Sequence, residues 1–265
     1  MDLATYKAFT LPLVKNLSRD ERVLGLVAVG SMAATAIQPD KWSDHDFLVV
    51  TEAGVEDEYR DSIAWLPPYR SIVLKFRETR HGRKILYDDG HLLEYAFFNC
   101  YDFHLVKINS YRILIDRAGF KKLVESVVSE TRSSGDQAKR NDELLFGQFI
   151  THLLVGYSRH ARGEKINGAQ FVKHFALEDL IGLVTRHIPA EDASVLDNIA
   201  TTRRFELAYP GIGGELNAAS FLDTPQCALA FLALAERELC EEYPVYNAAA
   251  VAAVRKAIDT RVQHS

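Results

Sequence analysis

Two carboxylates, Asp44 and Asp46, lie one residue apart at the start of an apolar run, residues 47–50. Side chains two residues apart in a strand point to the same face, so their Cα atoms would lie about 6.5 Å apart. Like charges held that close repel each other unless a cation or a proton lies between them. Mg²⁺ is commonly held by one or two carboxylates together with substrate phosphates. The spacing therefore predicts a magnesium site at Asp44 and Asp46.

A glycine and a serine, Gly30 and Ser31, follow the apolar run of residues 23–29, and residues 32–37 have a helical pattern. A glycine between a strand and a helix lets the backbone approach a ligand closely. The N–H groups at the start of such a helix favour an anion, and Ser31 adds a hydroxyl. The pair predicts a phosphate-binding site that faces the metal site.

The elements that must position these residues alternate between helices and strands in the first half of the chain. An Asp-Gly turn at residues 89–90 lies between two apolar runs, which is a strong hairpin signal and places Glu94 in the second arm. The patterns predict helices at 2–17, 52–64 and 120–132 and strands at 23–29, 44–50, 71–76, 83–87, 91–98 and 112–116.

The strand signals end near residue 133, and the rest of the chain has helical periodicity. The glycines that follow Pro210 indicate a loop at residues 210–214. We therefore predict two domains, residues 1–133 with mixed α and β structure and residues 134–265 with helices only. The predicted helices of the second domain span 136–162, 169–187, 225–242 and 246–262.

The order Gly30-Ser31, then Asp44-x-Asp46, then an acidic strand resembles the nucleotidyltransferase superfamily, whose fold is shared by DNA polymerase beta. The resemblance implies an α+β domain, with a mixed sheet and flanking helices, before the helical domain. It implies a Mg²⁺-dependent reaction in which a nucleoside monophosphate is transferred from a nucleoside triphosphate to a hydroxyl and pyrophosphate is released. ATP is the first candidate for the triphosphate. Glu94 is then either a third metal ligand or the general base. His45 stands where an apolar residue is more usual, on the opposite strand face.

A narrower likeness is to the nucleotidyltransferases that modify aminoglycoside or lincosamide antibiotics. The likeness lies in the end of one predicted helix, at residues 157–165, and in the start of the next at about residue 169. These enzymes pair a catalytic domain with a helical domain, which implies substrate binding by residues 134–265, a small hydroxylated substrate and a role in antibiotic resistance. Several relatives form dimers, so the resemblance also allows a homodimer.

Basic residues could line the triphosphate, and arginine suits bidentate phosphate binding. Arg70 and Lys75, in a basic cluster of the hairpin region, are the first candidates to bind the triphosphate. The cluster is equally explained as a solvent-exposed face of the hairpin. Lys173 is a candidate from the helical domain. Glu94, between apolar neighbours, is either functional or paired with a base. The cluster consists of Arg70, Lys75, Arg77, Arg80, Arg83 and Lys84.

Composition bounds the partners of this 265-residue chain. Its formal net charge of −5 argues against nucleic acid, which needs a broad basic face. The three widely spaced cysteines form no metal or redox motif. The N-terminus has no signal-peptide pattern, and no apolar run approaches the roughly 20 residues of a membrane span, so we expect a cytoplasmic protein without a membrane partner.

Two alternatives remain open at this point. The chain could be a nucleotidyltransferase that acts on a protein or on tRNA, as some toxin–antitoxin relatives do. It could also be a degenerate member that keeps the fold and only binds nucleotide. The presence of Asp44, Asp46 and Glu94 together weighs against the second alternative.

Overall fold

The computed structural model describes residues 3–34, 38–133, 141–240 and 246–262. The chain divides into two compact units, residues 1–133 and residues 134–265. The first contains a mixed sheet with helices, and the described part of the second contains helices, so the predicted fold class is confirmed. No helix within the described ranges has the length and apolar character needed to cross a bilayer.

Six strands form one sheet in the first unit, in the order β3-β4-β5-β2-β1-β6. The central strands β2 and β5 run parallel, and every other neighbouring pair is antiparallel. Because β2 and β5 are parallel, the first residues of both strands lie at the same end of the sheet. The strands are β1 (Val23–Val29), β2 (His45–Thr51), β3 (Ile72–Arg77), β4 (Gly82–Tyr87), β5 (Leu92–Asn99) and β6 (Tyr111–Asp116).

Each face of this sheet has its own apolar core, because side chains alternate along the strands. The helices of the first unit are α1 (Leu3–Leu17), α2 (Glu56–Asp61) and α3 (Phe120–Ser133). One core joins α1 to the side of β2 that carries Phe47 and Val49. The other joins α3 to the side that carries Val50. Asp46 shares the second side by alternation, and His45 lies on the first.

The predicted helix at residues 32–37 is wrong in its described part. Gly30–Ala33 forms a single 3₁₀ turn, and Ala34 then adopts a left-handed conformation with φ of 51°. A left-handed residue ends a helix, so this turn cannot supply the aligned amides of a long helix. Residues 35–37 lie outside the described residues. The predicted helix at 52–64 is also shorter, because Gly54 has a φ of 91° and Ser62 is extended.

The second unit packs its helices around a core formed chiefly by three of them, α4, α6 and α9. A π-helical turn, Phe171–Ala176, connects α5 directly to α6. The helices are α4 (Asp142–Ala161), α5 (Lys165–Gln170), α6 (Leu177–His187), α7 (Phe205–Ala208), α8 (Pro210–Ser220), α9 (Thr224–Leu239) and α10 (Ala248–Val262).

The loop predicted at residues 210–214 is wrong, because α8 begins at Pro210. Proline is favoured at the first helical position, where its missing N–H has no intrahelical partner to lose. Gly213 serves close packing rather than chain reversal, since a Cβ there would lie 2.7 Å from the Cα atom of Glu206. The glycines that suggested a loop therefore belong to a helix.

Candidate active site

The glycine–serine pair and the aspartates meet where β1 ends and β2 begins. The two strands are antiparallel, and Ala28 pairs with Phe47. Gly30 has a φ of 55°, in the left-handed region that favours glycine, and a Cβ there would lie 3.6 Å from Asp46 Oδ2. The predicted phosphate-binding backbone is therefore adjacent to one of the predicted metal-binding carboxylates.

The parallel pairing of β2 with β5 brings the third carboxylate to the same place. Asp46 pairs with Glu94, and Glu94 pairs in turn with Lys84 on β4, so the three side chains form a row on one face. Lys84 Nζ lies 2.9 Å from Glu94 Oε1 and 2.8 Å from Glu78 Oε1. Hydrogen bonds to Glu78 and Glu94 raise the pKa of Lys84 above its usual range. Glu94 is thus paired with a base and also lies beside Asp46.

A metal ion at this site would draw on few protein ligands. Within the described ranges, no group of three or more His, Cys, Asp and Glu side chains is arranged to hold a metal ion. Glu94 contacts Lys84 instead, which leaves Asp44 and Asp46 as the carboxylates next to the glycine–serine turn. Two carboxylates suit Mg²⁺, which takes its other ligands from water and substrate phosphates. Glu94 as a third ligand stays a prediction.

A buried hydroxyl and a tyrosine support this side of the site. Ser31 Oγ is buried close to the Tyr6 hydroxyl, yet it makes no hydrogen bond of good geometry within the described residues. Buried polar atoms are normally hydrogen-bonded, so this hydroxyl suits a site that a ligand or water completes. The Tyr6 hydroxyl donates to the backbone oxygen of Asp44 at 2.9 Å. Burial, and then the negative charge of Asp44, raise the pKa of Tyr6 above its usual range.

His45 anchors the strand from the opposite face. Its ring is fully buried and stacks on Tyr6 with 3.8 Å between ring centroids. Its Nδ1 lies 2.9 Å from His91 Nε2, and its Nε2 lies 3.1 Å from Thr10 Oγ1. Burial, reinforced by His91, lowers the pKa of His45 to about 3. The residue between the two aspartates is therefore a neutral, hydrogen-bonded part of the core.

Of the predicted cations, Lys75 lies away from the aspartates, and Arg70 and Lys173 make other contacts. Lys75 lies on β3, three strands from β2, which corresponds to about 14 Å at the usual spacing. Arg70 precedes β3, and its Nε lies 3.3 Å from Asp89 Oδ2. Lys173 belongs to the second unit, where its Nζ donates to the backbone oxygens of Ser220 and Leu222 at 3.0 and 2.5 Å. That contact binds the end of α8.

Arg112 is a basic residue near the site that sequence analysis missed. It lies on β6, which pairs with β1, and its Nη2 donates to the backbone oxygen of Met32 at 3.0 Å. Its guanidinium group is therefore beside the turn that carries Gly30 and Ser31. No local signal marks this residue, because its place depends on the pairing of two strands that are more than 80 residues apart in sequence.

Comparison with known proteins found no protein-family model and no curated protein that matches the chain. Among solved structures, an aminoglycoside 6-adenyltransferase from Bacillus subtilis is 10% identical, over 94% of this chain and 96% of its own, with a TM-score of 0.37. A nucleotidyltransferase-like protein from Exiguobacterium sibiricum is 12% identical, over 98% and 80%, with a TM-score of 0.37.

The CCA-adding enzyme from Thermotoga maritima, in complex with tRNA, is also similar. It is 12% identical, over 100% of this chain and 70% of its own, with a TM-score of 0.34. The chemistry of this chain rests on the residues of its own site.

The buried histidines make a testable contribution to stability. His45 in the unfolded chain takes up a proton near pH 6.5, whereas folded His45 resists protonation until about pH 3. The unfolded state therefore binds more protons in this window, and the free energy of unfolding falls as the pH is lowered through it. The loss is up to about 1.4 kcal/mol per pH unit for each such histidine. Burial lowers the pKa of His91 as well, so it adds to the loss.

Urea unfolding at several pH values, followed by tryptophan fluorescence, measures this loss. Both tryptophans, Trp42 and Trp65, belong to the first unit, so the signal reports on that unit. We expect His45→Gln to reduce the pH dependence. An equal pH dependence in wild type and His45→Gln would contradict the assignment of His45 as a neutral core residue.

Proposed function

We propose that this chain is a Mg²⁺-dependent nucleotidyltransferase. It transfers a nucleoside monophosphate from a nucleoside triphosphate, with ATP as the first candidate, to a hydroxyl of a small molecule and releases pyrophosphate. The observation that carries the proposal is the adjacency of three features at one end of the sheet. Gly30 lies against Asp46, and Asp46 lies beside Glu94 on the same face.

The phosphates would bind between the turn after β1 and the start of β2. Gly30 allows the backbone to come close to a phosphate oxygen, and the buried hydroxyl of Ser31 can donate to one. Asp44 and Asp46 would hold Mg²⁺, which supplies positive charge to the phosphates when it is bound. Arg112, beside the turn, adds a positive charge of the protein's own.

Glu94 would accept the proton of the substrate hydroxyl. As the hydroxyl oxygen forms its bond to the α-phosphorus, the bond from that phosphorus to the bridging oxygen breaks, and pyrophosphate leaves with the bond's electrons. A general base must lie within hydrogen-bond reach of the proton that it removes. The contact of Lys84 with Oε1 orients the Glu94 carboxylate beside Asp46. Lys84 is therefore a positioning residue in this proposal.

A small hydroxylated acceptor is the substrate class that the sequence resemblance supports. The resemblance to antibiotic-modifying enzymes suggests an aminoglycoside or a lincosamide, and hence antibiotic resistance. The net charge of −5 favours such an acceptor over tRNA. Residues 134–265 would then contribute to acceptor binding, and the protein would act as a monomer or as a homodimer.

Replacement of Asp46 tests the metal-dependent part of the proposal. Asp46→Asn keeps the size of the side chain and removes its charge, so we expect Kd for ATP with Mg²⁺ to rise at least about tenfold, or about 1.4 kcal/mol. Titration calorimetry with and without Mg²⁺ measures the change. Without Mg²⁺, Kd should not rise, because Asn removes a negative charge beside the phosphates. The matched control is Asp61→Asn at an exposed carboxylate on α2.

Denaturant unfolding of the same variants separates a functional role from a structural one. We expect Asp46→Asn to change the free energy of unfolding by no more than about 1 kcal/mol, because the amide keeps the size of the side chain. A much larger loss, with unchanged binding of Mg²⁺ and ATP in the folded fraction, would mean that Asp46 serves the fold alone.

Replacement of Glu94 separates the base from the metal ligand. Glu94→Gln keeps the shape but cannot accept a proton from a hydroxyl. If Glu94 is the base, Kd for Mg²⁺ and ATP stays within about twofold of wild type, because no ligand is lost. Titration calorimetry gives this value directly. A rise of tenfold or more would instead make Glu94 a metal ligand and would leave the base unassigned.

A further inference from the structure

The row that contains the site continues across the sheet to an aromatic residue. Asp46 pairs with Glu94, Glu94 with Lys84, and Lys84 with Phe76 on β3. Residues that pair directly across strands share a face, and neighbouring strands are about 4.8 Å apart. Phe76 therefore lies on the face of the proposed base, at about 10 Å from Glu94 along the row.

A second row on the same face, next to the first, is apolar throughout. Leu74 pairs with Leu86, and Leu86 pairs with Leu92. Leu74 is 49% exposed and Phe76 is 43% exposed, while Leu86 and Leu92 are half-buried. Among the described residues, none of the four belongs to the core on either side of the sheet. We call Leu74, Phe76, Leu86 and Leu92 the apolar shelf.

The shelf itself offers a ligand apolar surface, because the ammonium group beside it is already bound. Lys84 separates Phe76 from Glu94, and two carboxylates, Glu78 and Glu94, already bind its ammonium group. A polyamine resting on the shelf would place its charges on apolar side chains, which offer no hydrogen-bond partner. A molecule with an aromatic or aliphatic part would bury the exposed ring of Phe76 instead, which is favourable in proportion to the apolar area removed from water.

We propose that the apolar shelf binds the non-reacting part of the acceptor. The acceptor is then a hydroxylated molecule with an aromatic or aliphatic group. That group rests on Leu74 and Phe76 while a hydroxyl lies at Glu94. This inference rests on the proposed function, and it narrows the acceptor class, because a polycationic aminoglycoside lacks such a group.

The matched control for Phe76 lies on the same strand. The pairing of β3 with β4 shifts between Ile72 and Leu74, so these two residues face opposite sides of the sheet. Ile72 pairs with Tyr87, which belongs to the core on the α1 side, and it is 37% exposed. Ile72→Ala therefore removes a similarly exposed apolar side chain from β3 without touching the shelf.

The experiment compares two sugars that differ only in an apolar group. Phenyl β-D-glucopyranoside and methyl β-D-glucopyranoside are titrated into the full chain with Mg²⁺ and ATP, and Kd is obtained from saturation-transfer NMR. We expect the phenyl glucoside to bind at least about fivefold more tightly, as partial burial of one ring allows. Phe76→Ala and Leu74→Ala should reduce that preference below about twofold, whereas Ile72→Ala should keep it.

Four results would overturn the shelf as the acceptor site. The first is equal or absent binding of the two glucosides, and the second is tighter binding of kanamycin A than of the phenyl glucoside. The third is a preference for the phenyl glucoside that persists in Phe76→Ala. The fourth is a dimer, seen in sedimentation, that Phe76→Ala dissociates. The last would make β3 an interface between copies of the chain.

Kd for Mg²⁺ and ATP, measured on the same samples, separates the two proposals. Lost ATP binding contradicts the proposed function, and retained ATP binding without a phenyl preference contradicts the shelf alone.

Discussion

The repulsion between neighbouring carboxylates is the constraint on which this site depends. The pairing of the sheet brings Asp46 beside Glu94, and the chain places Asp44 two residues before Asp46. Such a group of negative charges is stable only with positive charge nearby. The protein supplies part of it through Lys84, which contacts Glu94. In the proposed function, Mg²⁺ would add positive charge beside the aspartates and hold the phosphates there.

The rest of the first unit holds these charges in place. The strand that carries Asp46 lies in the middle of the sheet, with β1 on one side and β5 on the other. Its opposite face is buried through His45, whose ring is hydrogen-bonded to His91 and stacked on Tyr6. Tyr6 also donates to the backbone of Asp44. These buried contacts hold the start of β2 against α1.

The motif residues and the order of most elements could be predicted from the sequence, because both are local signals. Gly30 and Asp46 can be identified by their residue types and spacing, and apolar periodicity indicates the strands and most of the helices. What depends on pairing could not be predicted. The partnership of Lys84 with Glu94, the distance of Lys75 from the site and the position of Arg112 all follow from the strand order. The glycines after Pro210 led to the wrong prediction of a loop, because glycine is favoured both in loops and where helices pack closely.

The proposed function requires that the wild-type chain bind a nucleoside triphosphate together with Mg²⁺. Thermal unfolding is measured with ATP, GTP, CTP and UTP, each with and without Mg²⁺. A ligand that binds only the folded state at a hundred times its Kd stabilises it by about 2.7 kcal/mol. We expect a rise in the unfolding temperature with at least one triphosphate, and only when Mg²⁺ is present. No rise with any of the four, or an equal rise without Mg²⁺, would contradict it.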